Sequence, residues 1–210
     1  MRVVICECMQ NIQKTPLGFF FVDDGMNVQE AIEKRRAFRS LETVEITNEI
    51  VEAFASAAQL SASCFNNQPW RFVFVYEPTQ LTRMHEALSQ GNEWAYNASM
   101  ILAVLSKKEY DCVIRDRLYY QFDTGMATAF LILRATEMGF VAHPIAGFSP
   151  KKTREILGIP DDIEVITLVI IGKHAQKLNP VLSDKQKKDE MTRPQRKPLE
   201  SFVFHNRYQG

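Results

Sequence analysis

"SASCFNNQPWRFVFV", residues 61–75, is a run of small polar residues that meets Pro69 and Trp70 and then becomes an aromatic and β-branched strand. Upstream, "ITNEIVEAFASAAQL" (46–60) spaces Ile50, Phe54, Ala57 and Ala58 along one helical face, with Thr47 as candidate N-cap. Downstream, residues 79–90 predict a short helix with Leu81, Met84 and Leu88 inward and Gly91 as its stop. The stretch is therefore a passage from helix to core strand to helix. Its polar half reads in two ways. It is an ordinary turn, or it is a loop that holds a flat polar heterocycle, because Ser, Asn and Gln offer donors and acceptors without charge.

The rest of the chain repeats the alternation. "NVQEAIEKRRAFR" predicts a helix over 27–39, which would put Arg35 and Arg39 one turn apart with Arg36 beside them. "SMILAVLS" (99–106) and "IEVITLVIIG" (163–172) are continuous apolar runs, as expected of strands buried on both faces. Residues 117–139 predict the longest helix, ended by Gly139. "FVAHPIAGF" (140–148) reads as a strand running into a loop, and Ser149 and Pro150 as N-cap and N1 of a helix that Gly158 ends. Residues 173–197 form a lysine-rich excursion, after which "PLESFVFHNRY" turns apolar and needs a surface to dock on, either its own sheet or a partner subunit. These elements predict an α+β fold, a three-layer α-β-α sandwich around one sheet. Residues 1–25 have no clear period and read as an extension ahead of a domain over 26–210.

Composition narrows the function. With 46% hydrophobic residues and 14 Phe, the chain can build a sizeable core. Lys+Arg and Asp+Glu both number 25, so no global field favours nucleic acid or a membrane surface. Cys6, Cys8, Cys64 and Cys112 are not spaced like a disulfide framework, which favours reduced thiols in a cytoplasmic protein. The four histidines have no metal-ligand spacing, so no metal is expected. There is no G-x-S-x-G elbow, P-loop or H-E-x-x-H, and "GMATAF" (125–130) is not a dinucleotide fingerprint. Three segments could still carry chemistry. "KRRAFR" could hold a phosphate, "HPIAGF" could present backbone amides to a ring, and "RPQRKPLE" could add Arg193, Arg196 and Lys197 to an anion site. Each alone also reads as a solvated basic face or a plain connection.

Taken in order, "RRAFR", "ASCFNNQPW", "PIAGF" and "RKPLE" resemble the motif series of the nitroreductase family of FMN-dependent oxidoreductases, over roughly residues 26–208. The resemblance implies a central mixed, largely antiparallel sheet and an intertwined homodimer with FMN at the interface. It implies that Arg35, Arg36 and Arg196 hold the phosphate and ribityl chain, with Ala37 in the same site where the family carries serine. Arg39 would lie at the N1–O2 edge as an electrostatic stabiliser, and Ser63 and Asn66, from the other chain, would line the ring. Pro144, Ile145, Ala146 and Gly147 would pack on the ring, with the Ala146 amide toward N5. The implied activity is ping-pong hydride transfer from NAD(P)H through FMN to a nitroaromatic, quinone or similar flat electrophile, without a membrane or nucleic-acid partner. A flavin-binding carrier or sensor that does not turn over NAD(P)H is the alternative.

Overall fold

The computed structural model describes residues 25–210. The extension expected over residues 1–25 lies outside these residues except for Gly25, as do Cys6 and Cys8. The elements in chain order are α1 (Val28–Lys34), β1 (Leu41–Glu42), α2 (Asn48–Gln59), β2 (Arg71–Val75), α3 (Pro78–Met84), β3 (Met100–Ser106), β4 (Val113–Ile114), β5 (Arg117–Leu118), α4 (Tyr120–Glu137), β6 (Val141–Ile145), α5 (Pro150–Leu157), β7 (Glu164–His174) and α6 (Asp184–Met191).

The long strand β7 organises the sheet. It pairs with β3, β6 and β1, and β2 adds outside β3. Every strand pair among the described residues is antiparallel. The period-2 alternation of a strand divides the core in two. Ile101, Ala103 and Leu105 of β3 join Leu168 and Ile170 of β7 on one face, where Met84, Ala87 and Trp94 pack with residues of α5. Met100, Leu102 and Val104 join Val169 and Ile171 on the other, against Phe54 and Ala58 of α2 and Ala127, Leu131 and Ala135 of α4. Helices thus cover both faces, and the three-layer α+β sandwich expected from the sequence is the one observed. Among the described residues no helix is long and apolar enough to cross a membrane.

Several elements differ from expectation. The helix expected over 27–39 ends at Lys34, with Arg35 as its C-cap in a non-helical conformation. The reason lies far along the chain. The buried Glu190 carboxylate accepts the Arg39 and Ser40 N–H groups, both at 2.8 Å, so these donors find no use for carbonyls one turn back. Arg35 and Arg39 are consequently not neighbours on one helix face. The lysine-rich excursion contains a helix, α6, opened by a capping box between Ser183 and Gln186. The start of the long helix is displaced to Tyr120, because Arg117–Leu118 pair with Val113–Ile114 in a small hairpin. The apolar C-terminus does not extend its own sheet. Leu199, Phe202 and Tyr208 are 65%, 58% and 76% exposed.

Cys64 and Cys112 are not free thiols. They are 48 residues apart, but the fold brings their Cα atoms to 6.2 Å and joins them as a disulfide. The sequence spacing conceals this, because the pairing depends on where α4 and the preceding hairpin place residue 112.

Candidate functional site

The basic segments separated in sequence converge in space. Arg35, Arg36, Ala37 and Arg39 from the chain after α1 meet Asp189, Arg193, Pro194 and Arg196 from the end of α6 and beyond, around a cavity of about 180 Å³. Five arginines and one acidic residue line it. Two of the five are committed to holding the walls together. Arg36 donates to the carbonyls of Asp189 and Glu190 at 2.8 and 2.9 Å, and its guanidinium lies over the Phe38 ring. Arg193 donates to the carbonyls of Glu33 and Arg35. Arg35 is pushed below its ordinary value by burial and then by the charges of Arg193 and Arg196. Mutual repulsion of this kind is relieved by an anion with several oxygens, which accepts charge-assisted bonds from the forks that face it. The donor set therefore fits a phosphate.

A second polar system connects this cavity to β6. His143 is buried, stacks on Trp94 with ring centroids 4.8 Å apart, and bonds the Phe38 carbonyl through Nδ1 at 3.0 Å. A carbonyl only accepts, so Nδ1 carries the hydrogen. Burial pushes His143 down to about 4; the Phe38 bond opposes this, and the Arg39 and Arg35 charges add to it. His174 stacks on Phe38 at 3.7 Å and reaches Glu190 at 3.5 Å. The backbone from Phe38 to Ser40 is thus gripped from α6, β6 and β7 at once. Sequence reasoning missed Glu190 and His143 as parts of this region. No local signal distinguishes Glu190 from the other acidic residues of the chain.

The "PIAGF" segment alternates as a strand should. Pro144 and Ala146 face outward, whereas Ile145 is 7% exposed and packs in the core. The Ile145 side chain thus lies on the core side of β6, and Pro144 and Ala146 on the outward side. Gly147 is also required by packing within the chain. A Cβ there would run into Asn92 Nδ2, which donates to the Gly147 carbonyl at 2.8 Å, while Asn92 Oδ1 accepts from the Trp94 indole at 3.1 Å.

The polar loop is not brought to the arginine cavity within one chain. Ser63 and Asn66 do not line it, and Asn67 and Gln68 face a separate open groove along α2. Ser63 Oγ accepts the Gln68 N–H at 3.0 Å. Asn66 is exposed, and Phe65, Asn66 and Gln68 have φ of 48°, 58° and 49°. Left-handed backbone at non-glycine residues costs about 1–3 kcal/mol each and persists only where the surroundings enforce it. Among the described residues, the one cluster with metal-ligand spacing is Cys64, Asp111 and Cys112, whose sulfurs are here joined to each other rather than available as thiolates.

Comparison with known proteins gives a consistent result. The sequence model of the nitroreductase family matches residues 32–93 and 90–173. An Archaeoglobus fulgidus protein assigned as an NADH dehydrogenase/NAD(P)H nitroreductase is 33% identical over 148 residues, covering 66% of this chain and 80% of that one. The Bacillus subtilis NAD(P)H nitroreductase MhqN is 25% identical over 207 residues, covering 81% and 94%. Among solved structures, an oxidoreductase described as containing FMN superposes with a TM-score of 0.74 at 26% identity, over 89% of this chain and 95% of that one. A Clostridium difficile nitroreductase family protein shares the fold with a TM-score of 0.71 at 22% identity, over 87% and 100%.

Proposed function

The chain belongs to the nitroreductase family, and on that premise we propose that it is an FMN-dependent NAD(P)H oxidoreductase acting on a flat electrophile such as a nitroaromatic or quinone. The observation that carries this reading is the arginine cavity, a space fit for a phosphate that five arginines line with a single acidic residue among them. Bound there, FMN would supply the two-electron chemistry that couples NAD(P)H oxidation to reduction of the acceptor.

The chain's own residues bind, orient and stabilise. Arg35 and Arg196 hold the phosphate end, Arg39 faces the N1–O2 edge of the ring, and Ala37 leaves room at the phosphate without adding a hydroxyl donor. Arg36, already engaged with the Asp189 and Glu190 carbonyls, acts as a clasp that keeps the α6 end over the cavity. The grip of Glu190 on the Arg39 and Ser40 N–H groups fixes the backbone from which the Arg39 guanidinium projects, so its charge is preorganised rather than recruited. Pro144 and Ala146 offer the outward wall of β6 to a planar ring. No protein acid or base is invoked.

A homodimer completes the site. Leu60 and Phe65 beside the polar loop are 81% and 82% exposed, Phe122 of α4 is 64% exposed, and the C-terminal apolar residues find no seat on their own sheet. Burying these against a second copy would bring Ser63 and Asn66 of the partner subunit to the cavity that they cannot reach in their own chain. A cytoplasmic location accompanies the reading, because NAD(P)H is supplied there.

The purified protein is expected to take up FMN and become yellow. NADH or NADPH should bleach it without oxygen, and a quinone should restore the colour. A colourless protein that does not retain added FMN would overturn the proposal. Retention of FMN without bleaching by either nucleotide would favour the carrier reading. Arg39→Ala is expected to slow reduction by NAD(P)H more than it weakens FMN binding; the reverse order would reassign Arg39 to the phosphate.

A further inference from the structure

The polar loop carries a second chemistry in its unexpected letter, Cys64. Three of the five residues that follow Cys64 are in left-handed conformations, so the loop holds its shape only under restraint. Four restraints are visible. Cys64 N–H donates to Asp123 Oδ2 at 2.6 Å, Gln68 N–H donates to Ser63 Oγ at 3.0 Å, and Asn67 Nδ2 donates to Asp111 Oδ1 at 3.3 Å. The fourth is the disulfide to Cys112, and it alone is covalent and can be cut chemically.

The surroundings of that bond are those of an exchange centre rather than an inert staple. Within a single chain both cysteines are only partly buried, so a small thiol can reach them in the protomer. Asp111 Oδ1 accepts the Cys112 N–H at 2.8 Å and lies 3.5 Å from Cys112 Sγ. Asp111 is 9% exposed, and its other oxygen, Oδ2, is buried without a hydrogen-bond partner. Asp123, 2% exposed, is pushed upward by burial and then by the Asp111 carboxylate. In a compartment kept reducing by small thiols, moreover, a protein disulfide is as a rule a cycling one.

We propose that Cys64 and Cys112 form a reversible thiol–disulfide exchange site, which takes a low-molecular-weight thiol as reductant and the corresponding disulfide as oxidant, and which locks residues 61–69 in shape when oxidised. A thiolate attacks Cys64 Sγ, the Cys64–Cys112 bond breaks, and the leaving Cys112 sulfur takes a proton from solvent, relayed by the Asp111 carboxyl group 3.5 Å away. A second thiolate displaces Cys64 from the mixed disulfide, and the Cys64 sulfur takes up a proton from solvent. Overall, the protein disulfide and two thiols give the protein dithiol and one small disulfide, with the thiols' two protons ending on the two cysteines.

The test uses the full-length protein without denaturant. After glutathione disulfide, alkylation with N-ethylmaleimide and digestion should yield a linked peptide containing Cys64 and Cys112. Reduced glutathione should abolish that peptide and leave both cysteines alkylated, and re-oxidation should restore it. Separate alkylation of both cysteines in the oxidised sample would overturn the proposal. So would a bond that opens only after denaturation, or a reduced protein that retains added zinc and does not re-form the link. Asp111→Asn should still form the linked peptide but open more slowly, on the order of tenfold; opening at the wild-type rate would remove Asp111 from the exchange step. Cleavage by a nonspecific protease within residues 61–69 should rise on reduction, and an unchanged rate would refute the locking role. The link to the cofactor rests on the reading proposed above, in which reduction weakens FMN retention. Absence of FMN binding in both redox forms would count against that reading, whereas the peptide and protease results judge the exchange site alone.

Discussion

At the scale of single residues, two buried groups decide how the arginine cavity is held. Glu190 neutralises two backbone donors that no helix satisfies, and each such charge-assisted bond is worth about 1.5–3 kcal/mol. Glu190→Ala is therefore expected to cost about 3 kcal/mol in urea unfolding, and Glu190→Gln, which keeps one acceptor oxygen, clearly less. His143 makes the same region sensitive to acid. Its folded-state value of about 4 lies below its ordinary 6.5, so it is neutral in the fold while the unfolded chain takes up a proton first. Its contribution to stability is full above the unfolded value and is lost as pH falls from 6.5 through 4. Between pH 7 and pH 5 it accounts for about 2 kcal/mol of lost stability. In His143→Gln, which does not titrate, the difference between unfolding curves at these two pH values should shrink by about that amount. An unchanged difference would place the acid sensitivity elsewhere. Neither residue was legible in the sequence. Glu190 lies 151 positions from Arg39, and His143 lies 105 from Phe38, whose carbonyl it bonds.

At the scale of elements, local chemistry was a good guide wherever the partner is also local. Ser149 and Pro150 open α5 as expected, with the serine side chain accepting the Lys152 N–H, and Gly158 closes it at φ 66°. Thr47 occupies its expected cap position before α2 but its side chain accepts no bond from the helix. The arginine segment failed as a helix because its N–H groups are claimed by Glu190 from outside. The turn after β6 gives a further test. Asn92 sits where a Gly147 side chain would go and bonds both Gly147 and Trp94. Gly147→Ala should destabilise the protein by about 1–3 kcal/mol through overpacking. Asn92→Ala also loses stability, through its bonds to Gly147 and Trp94, but the double substitution should cost less than the sum, because removing the Asn92 side chain removes the clash. Strict additivity in thermal unfolding would show that the two residues do not share that space.

At the scale of the whole molecule, one chain does not bring the polar loop to the arginine cavity. The arginine cavity and the polar loop are lined by different residues, and the apolar surface beside the loop and along the C-terminus remains open. Light scattering is expected to give twice the chain mass. Replacing Leu199 and Phe202 together by serine should shift the protein toward monomer and lower FMN retention in parallel; a stable dimer with unchanged FMN retention would move the interface elsewhere. The sequence by itself determined the layers. Continuous apolar runs place β3 and β7 at the centre, and helical stripes place α2 and α4 over one face, because burial is written in the spacing of apolar side chains along a few turns or a few residues. Only the tertiary structure decided the polar pairings. Glu190 with Arg39, His143 with Phe38, Arg36 with the α6 carbonyls, and Cys64 with Cys112 join residues 48 to 154 positions apart. Such a pairing is favourable only once the core has brought both ends together, so neither end carries a local preference that could announce it.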